Sequence, residues 1–162
     1  MKKVLSLVIA WLLALPLGAL ATAQIPDEIV LDGQRHPLHS QPFDKILWSG
    51  PSLPPEIRLL DCTANWRGYR AFWTISDGKL LLDKVVANAC AQDPAEMDLS
   101  RFFPDGRRPV AAQWFSGVLK IARGKEIEYV HQGYQSRYEA YTLLVVHKGV
   151  VVFRLDLDEP PQ

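Results

Sequence analysis

The chain is 162 residues long, carries 18 basic and 18 acidic side chains, and is 48% apolar by residue count. A balanced charge with no long basic run argues against nucleic-acid binding through phosphate capture. The length suits one domain with a full hydrophobic core, and only the first stretch is apolar enough to suggest a membrane.

Residues 1–23 read as a secretory signal peptide. Lys2 and Lys3 supply the positive start and Val4 to Leu15 the apolar run; Pro16 and Gly18 break it before Ala21-Thr22-Ala23, with cleavage expected after Ala23. The run is shorter than the roughly 20 apolar residues a spanning helix needs. Removing 23 residues from 162 leaves 139, residues 24–162, read as a single β-rich domain with no further transmembrane segment. Loss of Lys2 and Lys3 leaves 16 basic against 18 acidic side chains, a net charge of −2. The expected compartment is the bacterial periplasm or the secreted space, where two cysteines most often pair. Cys62 and Cys90 are therefore expected to form a disulfide; a catalytic cysteine would leave the second thiol idle.

Along the mature chain, period-2 alternation broken by turn residues predicts strands. Ile29-Val30-Leu31 runs into Asp32-Gly33, a dipeptide favoured in tight hairpins. Residues 37–55 are rich in Pro and Ser and read as irregular, with one short apolar element, Ile46-Leu47-Trp48. The stretch CTANWRGYRAFW, residues 62–73, then leads into the clearest hairpin, turned at Asp77-Gly78. A two-residue turn sets Ile75 opposite Leu80, Trp73 opposite Leu82 and Phe72 opposite Asp83. The register gathers Trp73, Ile75, Leu80 and Leu82 on one apolar face and makes Arg70 and Asp83 diagonal neighbours, close enough for an ion pair.

A helix is predicted near 94–103, with Asp93 as N-cap, Pro94 in its first turn, Glu96 completing a capping box, and Pro104 ending it. Two weaker echoes of the hairpin pattern follow, Ala112-x-Trp114 before Gly117-x-Leu119-x-Ile121, and Tyr141–Val146 before Val150–Leu155. The last pair is apolar enough to suggest central strands covered on both faces. An acidic tail, Asp156 to Pro161, is expected to lie outside the regular elements. The fold expected is mostly β: a single antiparallel domain, a sandwich or a curved meander of hairpins, with one short α-helix.

No strong catalytic signature is present: no Gly-x-Ser-x-Gly, Ser-x-x-Lys or His-Glu-x-x-His, and no phosphate-binding glycine loop. His36 and His39 approach a metal pair in spacing, but in an extended segment residues three apart point to opposite faces. No metal or other cofactor is expected, and both histidines read as loop surface. Asp61 and Glu139 are the carboxylates with no evident structural role, and with His131 they are the only acid–base set the sequence offers. The recognition candidates are aromatic and cationic. Tyr134, Arg137 and Tyr138 sit in a Tyr-rich stretch around Gly133, and Trp66 and Arg67 precede the regular hairpin. Tyr gives a large rigid contact area with a hydroxyl, whereas Tyr129 and Tyr141 read as strand residues.

These features favour a non-catalytic exported binding protein of the bacterial envelope, such as an inhibitor or immunity protein, with a protein partner there. The alternative is an enzyme or glycan-binding module acting on envelope carbohydrate or peptide. Oligomeric state is not legible in the sequence.

Overall fold

The computed structural model describes residues 22–50 and 52–158, and the apolar run of the signal-peptide assignment lies outside them. Among the described residues eight strands and one helical turn form: β1 (Asp27–Leu31), β2 (Gln34–Leu38), α1 (Asp44–Leu47), β3 (Tyr69–Ser76), β4 (Lys79–Ala87), β5 (Val110–Ala111), β6 (Gly117–Glu128), β7 (Arg137–His147) and β8 (Val150–Asp158). All eight strands join one sheet in the order β3-β1-β2-β6-β7-β8-β4-β5, and β3 also pairs with β4. That extra pairing closes seven strands into a ring. β5 sits beside β8 on the remaining edge of β4, where Lys79 pairs with Val150 and Leu81 and Leu82 pair with Ala111 and Val110.

The β-rich expectation holds, but the sheet is mixed, because β1 and β3 run parallel through Glu28–Phe72, Ile29–Trp73 and Val30–Thr74. The two Asp-Gly hairpins form as read. Asp32 and Asp77 adopt φ of 53° and 49°, and Gly33 and Gly78 follow at 78° and 69°, the paired positive values of a tight hairpin turn. Burial alternates cleanly along β1 and the start of β3, which sends Ile29, Leu31, Tyr69, Ala71 and Trp73 inward. They meet Leu80, Leu82, Leu119, Ile121, Leu144 and Val146 in one core. Phe43 and Leu47, from the turn of helix, and Met97 and Leu99 complete it.

Several expectations are corrected. The helix near 94–103 does not form; instead Glu96 bridges Val86 along the end of β4, with the Ala87 N–H donated to the Ala95 carbonyl and the Met97 N–H to the Val85 carbonyl. Met97 and Leu99 are both buried, so the segment follows a strand period there, and extended pairing outcompetes the capping signal at Asp93. The helix lies at Asp44–Leu47, inside the stretch read as irregular. The β3–β4 register is as derived near the turn, but a bulge after Phe72 sets that residue opposite Lys84 rather than Asp83. Asp83 accepts from Thr74 Oγ1 at 2.7 Å, while Arg70 turns to the Pro26 carbonyl and Glu28 instead of forming the expected pair with Asp83. β5 and β6 do not form a hairpin, because each pairs with a different strand. β8 is not covered on both faces: eight of its nine residues are exposed, and Asp156 to Asp158 belong to it rather than to a separate tail.

Gly149 is where β8 comes in over β4 and β5. Its φ is +78°, and a Cβ there would lie 2.8 Å from the Ala112 backbone, so the crossing admits only glycine. Cys62 and Cys90 are bonded as expected, tying the loop before β3 to the loop after β4. Among the described residues no helix is long and apolar enough to cross a membrane.

Candidate functional site

The long β6–β7 hairpin carries the site. Its register breaks between Arg123 and Glu126 and again between Glu126 and Glu128, so the outer part forms an arm that departs from the regular ladder. Gly124 makes the first break at φ +73°, and a Cβ on it would lie 2.5 Å from Glu139 Oε2. The same Glu139 oxygen accepts the Lys125 backbone N–H at 2.8 Å. This carboxylate had no role in the sequence; in the fold it satisfies the bulge's free donor.

The arm carries the Tyr-rich loop to the end of β2. The Tyr134 ring stacks on His39 with centroids 5.4 Å apart and planes 18° from parallel, and Tyr138 meets the same imidazole edge-on at 5.4 Å. Gln41 Nε2 donates to the Tyr134 hydroxyl at 3.0 Å, and the Tyr138 hydroxyl donates to Glu126 at 3.1 Å. Burial, then the Lys120 cation, lowers the His39 pKa to about 4, so the imidazole is neutral at physiological pH. Burial, reinforced by Glu126, pushes the Tyr138 hydroxyl up to about 12. Tyr134 is also raised, chiefly by burial. Both phenols therefore stay protonated and act as neutral hydrogen-bonding groups.

His39, Tyr134, Tyr138, Tyr129 and Glu126 line a cleft of about 280 Å3 whose opposite wall includes Gln24, Ile25 and Pro26. That wall is held by Gln24. Its N–H donates to the Gly133 carbonyl at 2.9 Å, its Nε2 to the Thr63 carbonyl at 2.8 Å, and its Oε1 accepts the Trp66 N–H at 2.9 Å. Ile25 adds an N–H donated to the Ala64 carbonyl at 2.7 Å. The loop before β3 and the Tyr-rich loop, 70 residues apart in sequence, are thereby stitched to one short segment.

Of the residues singled out by sequence, Tyr134 and Tyr138 line the cleft, and Arg137 flanks it with its guanidinium 3.2 Å from Glu128. Trp66 lies on the neighbouring loop with 45% of its surface open. Arg67 points inward. Its Nη2 lies 3.0 Å from Asp27 and 3.3 Å from the Ile25 carbonyl, and its plane covers the Tyr69 ring at 4.6 Å. Asp27 is fully buried and also accepts from the Ala71 N–H and Trp73 Nε1, each at 3.1 Å. Complete burial pushes the Asp27 carboxyl up against the pull of Arg67 and these donors. Burial opposes the Arg67 charge too, but Asp27, Tyr69 and Tyr134 hold its pKa above the ordinary value. The Tyr69 hydroxyl in turn donates to Asp44 at the start of α1.

Three cleft residues were not among the candidates. His39 has the sequence context of loop surface, because nothing local says that a chain segment 95 residues later will stack on it. Glu126 lies on the exposed face of β6, and that face borders the cleft. Tyr129, read as structural, is 51% exposed and meets His131 edge-on at 4.6 Å. Tyr141, by contrast, is buried, its hydroxyl accepting the Tyr138 N–H at 3.0 Å. Among the described residues no group of three or more His, Cys, Asp or Glu could hold a metal ion.

The cleft presents neutral aromatic faces, two protonated phenols and one rim carboxylate. No family model matches the chain, and no curated protein or solved structure matches it.

Proposed function

We propose that this is an exported, non-catalytic binding protein of the bacterial cell envelope that engages a protein partner through the His39–Tyr134–Tyr138 cleft. An inhibitor or immunity protein for an envelope-acting partner is the form of that role we favour. The observation that carries the reading is convergence. Two loops far apart in sequence, the one before β3 and the Tyr-rich one, are joined through Gln24, which lines the cleft together with Ala64 of the first loop and Tyr134 of the second. Half-buried Tyr rings with satisfied hydroxyls, surrounded by polar groups, match the composition of residues that dominate protein interfaces. Glu126 at the rim favours a partner presenting a basic side chain beside an apolar one.

An acid–base role for Glu139 or Asp61 with His131 finds less support, since Glu139 is engaged at the Lys125 N–H and packed on Gly124. Glycan binding is the second reading, favoured by the exposed Trp66 and Tyr129, whose rings are available to stack on a sugar. The test is affinity capture from periplasmic extract with wild type and a Tyr134→Ala/Arg137→Ala/Tyr138→Ala variant, each first shown to be folded by circular dichroism. The expected result is a partner retained by wild type and lost from the variant. Equal recovery of every species by both would overturn the assignment of this surface, and glycan-array binding without a protein partner would favour the second reading.

A further inference from the structure

The Tyr cleft leaves unexplained the exposed strand at the other side of the β6–β7 hairpin. β8 pairs with β7 along its whole length, from Val150–His147 to Asp158–Ala140. On its other side it touches β4 only at its start, through Lys79–Val150 and the Val151 N–H donated to Gly78. From Val152 to Asp158 that edge carries no strand among the described residues. It is not blunted by proline, and its apolar side chains are open: Val152 is 60% exposed, Phe153 57%, Leu155 41% and Leu157 41%. Phe153, Leu155 and Leu157 pair with Val145, Leu143 and Tyr141, so all three lie on one face of the sheet. Arg154, Asp156 and Asp158 lie on the other, opposite Leu144, Thr142 and Ala140. An open edge of this length is a template for another strand.

We propose that the occupant is a second copy of this chain, docked β8 against β8 in an antiparallel, two-fold pairing centred on Leu155. The charges carry this choice. With Leu155 opposite its own copy, Arg154 falls opposite the second copy's Asp156 and Asp156 opposite its Arg154. Phe153 meets Leu157 on the apolar face in the same register. Moving the centre to Asp156 sets that carboxylate against itself, and moving it to Arg154 sets the guanidinium against itself. Like charges directly opposite one another are unfavourable, so the register centred on Leu155 is favoured over these two. A slip of one residue would also set one copy's apolar face against the other's charged face. The two-fold makes a self-complementary edge the natural partner of itself, and it merges the two exposed apolar faces on one side of a continuous sheet. Within one chain Arg154 already bonds Asp32 at 2.8 Å and Asp156 at 3.0 Å, which fixes the guanidinium beside the edge it would share.

Sedimentation equilibrium on the mature protein tests this with four proteins and one mixture. Wild type is expected to approach twice the chain mass as concentration rises. Arg154→Asp and Asp156→Arg each create like-charge pairs across the two-fold and should self-associate at least about tenfold more weakly. Mixed in equal amounts, these two variants have opposite charges at both pairs and should recover association as a heterodimer. Leu155→Lys, at an exposed position that leaves the intrachain ion pairs intact, should be monomeric. A wild type that remains monomeric throughout overturns the proposal and assigns the charged edge to protection against aggregation. So does wild-type-like dimerisation by Leu155→Lys or by either charge variant, and so does failure of the folded variants to associate when mixed. If a charge variant does not fold, Leu155→Lys decides alone.

Discussion

Replacing Arg67 with Met tests whether the interior ion pair, rather than the aromatic packing around it, holds the loop before β3. The substitution keeps an unbranched apolar stem over the Tyr69 ring and removes the guanidinium that lies 3.0 Å from Asp27. Asp27 would retain two neutral donors, the Ala71 N–H and Trp73 Nε1, at 0% exposure. Breaking one side of a buried pair strands the other charge, and the expected loss at pH 7 is about 3–5 kcal/mol. The sign of its pH dependence follows from burial, which already raises the Asp27 carboxyl above 3.8 and would then act without Arg67 to oppose it. A folded-state acid with a raised pKa binds its proton more readily than the unfolded chain does. Its stability is full below the unfolded value and falls as pH rises, by up to about 1.4 kcal/mol per pH unit. Urea unfolding at several pH values between 5 and 8, followed by far-UV circular dichroism, should show the variant's deficit shrinking on acidification. A deficit below about 1 kcal/mol at pH 7, or one that does not change with pH, would refute the buried-charge account.

The other outcomes are more local. His39 has a folded pKa near 4 against 6.5 unfolded. Its contribution is present above 6.5 and lost as pH falls toward 4, about 2 kcal/mol after allowing for the part of the ring open to water. His39→Phe should flatten that slope in thermal melts; parallel pH profiles would show that His39 is not its source. Gly124→Ala forces a Cβ to within 2.5 Å of Glu139 at φ +73° and should cost about 1–3 kcal/mol. Its effect should appear in hydrogen exchange as faster opening of the arm, with the barrel core retained. Cys62→Ala/Cys90→Ala opens a link of sequence separation 28 and should lose about 3–4 kcal/mol in denaturant titrations. Trp66→Ala, by contrast, removes a ring already 45% exposed, and its unfolding midpoint should correspond to a change below about 0.5 kcal/mol while capture of a partner weakens.

Local chemistry made much of the sheet readable. The two Asp-Gly turns and the alternating face of β3 depend on adjacent residues, the disulfide on there being only two cysteines to pair, and each formed as read. Failures occurred where a distant strand decided the outcome. Residues 94–97 carry good helix-start chemistry, yet β4 offers them an extended ladder, and burying Met97 and Leu99 prevails. The Val-rich β8 has the composition of a central strand, but its neighbour on one side stops at Val150, so the apolar side chains are left in the open. Arg70 illustrates the same limit within a single hairpin. A bulge of one residue moved Asp83 out of reach, and Glu28 on a parallel strand took its place. Sequence periodicity reports which face a residue occupies far better than which partner it meets there.

The two aromatic clusters had different fates for a physical reason. In CTANWRGYRAFW, Arg67 is followed by Gly68 at φ +72°, whose would-be Cβ meets the Arg58 carbonyl oxygen at 2.5 Å. This close approach turns the chain sharply between an exposed Trp66 and a fully buried Tyr69. Arg67 lies on the inner side of that turn, where only a carboxylate as buried as Asp27 can compensate its charge. In the Tyr-rich arm no such interior exists, because the Gly124 bulge has taken the strands out of the regular ladder. Its rings can be buried only against whatever the arm reaches, and what it reaches is His39 and the segment at Gln24. An aromatic surface assembled from an arm, a strand end and a stitched segment packs against few core residues. Its shape thus rests on those few contacts, whereas the Arg67 cluster is fixed by the core it completes.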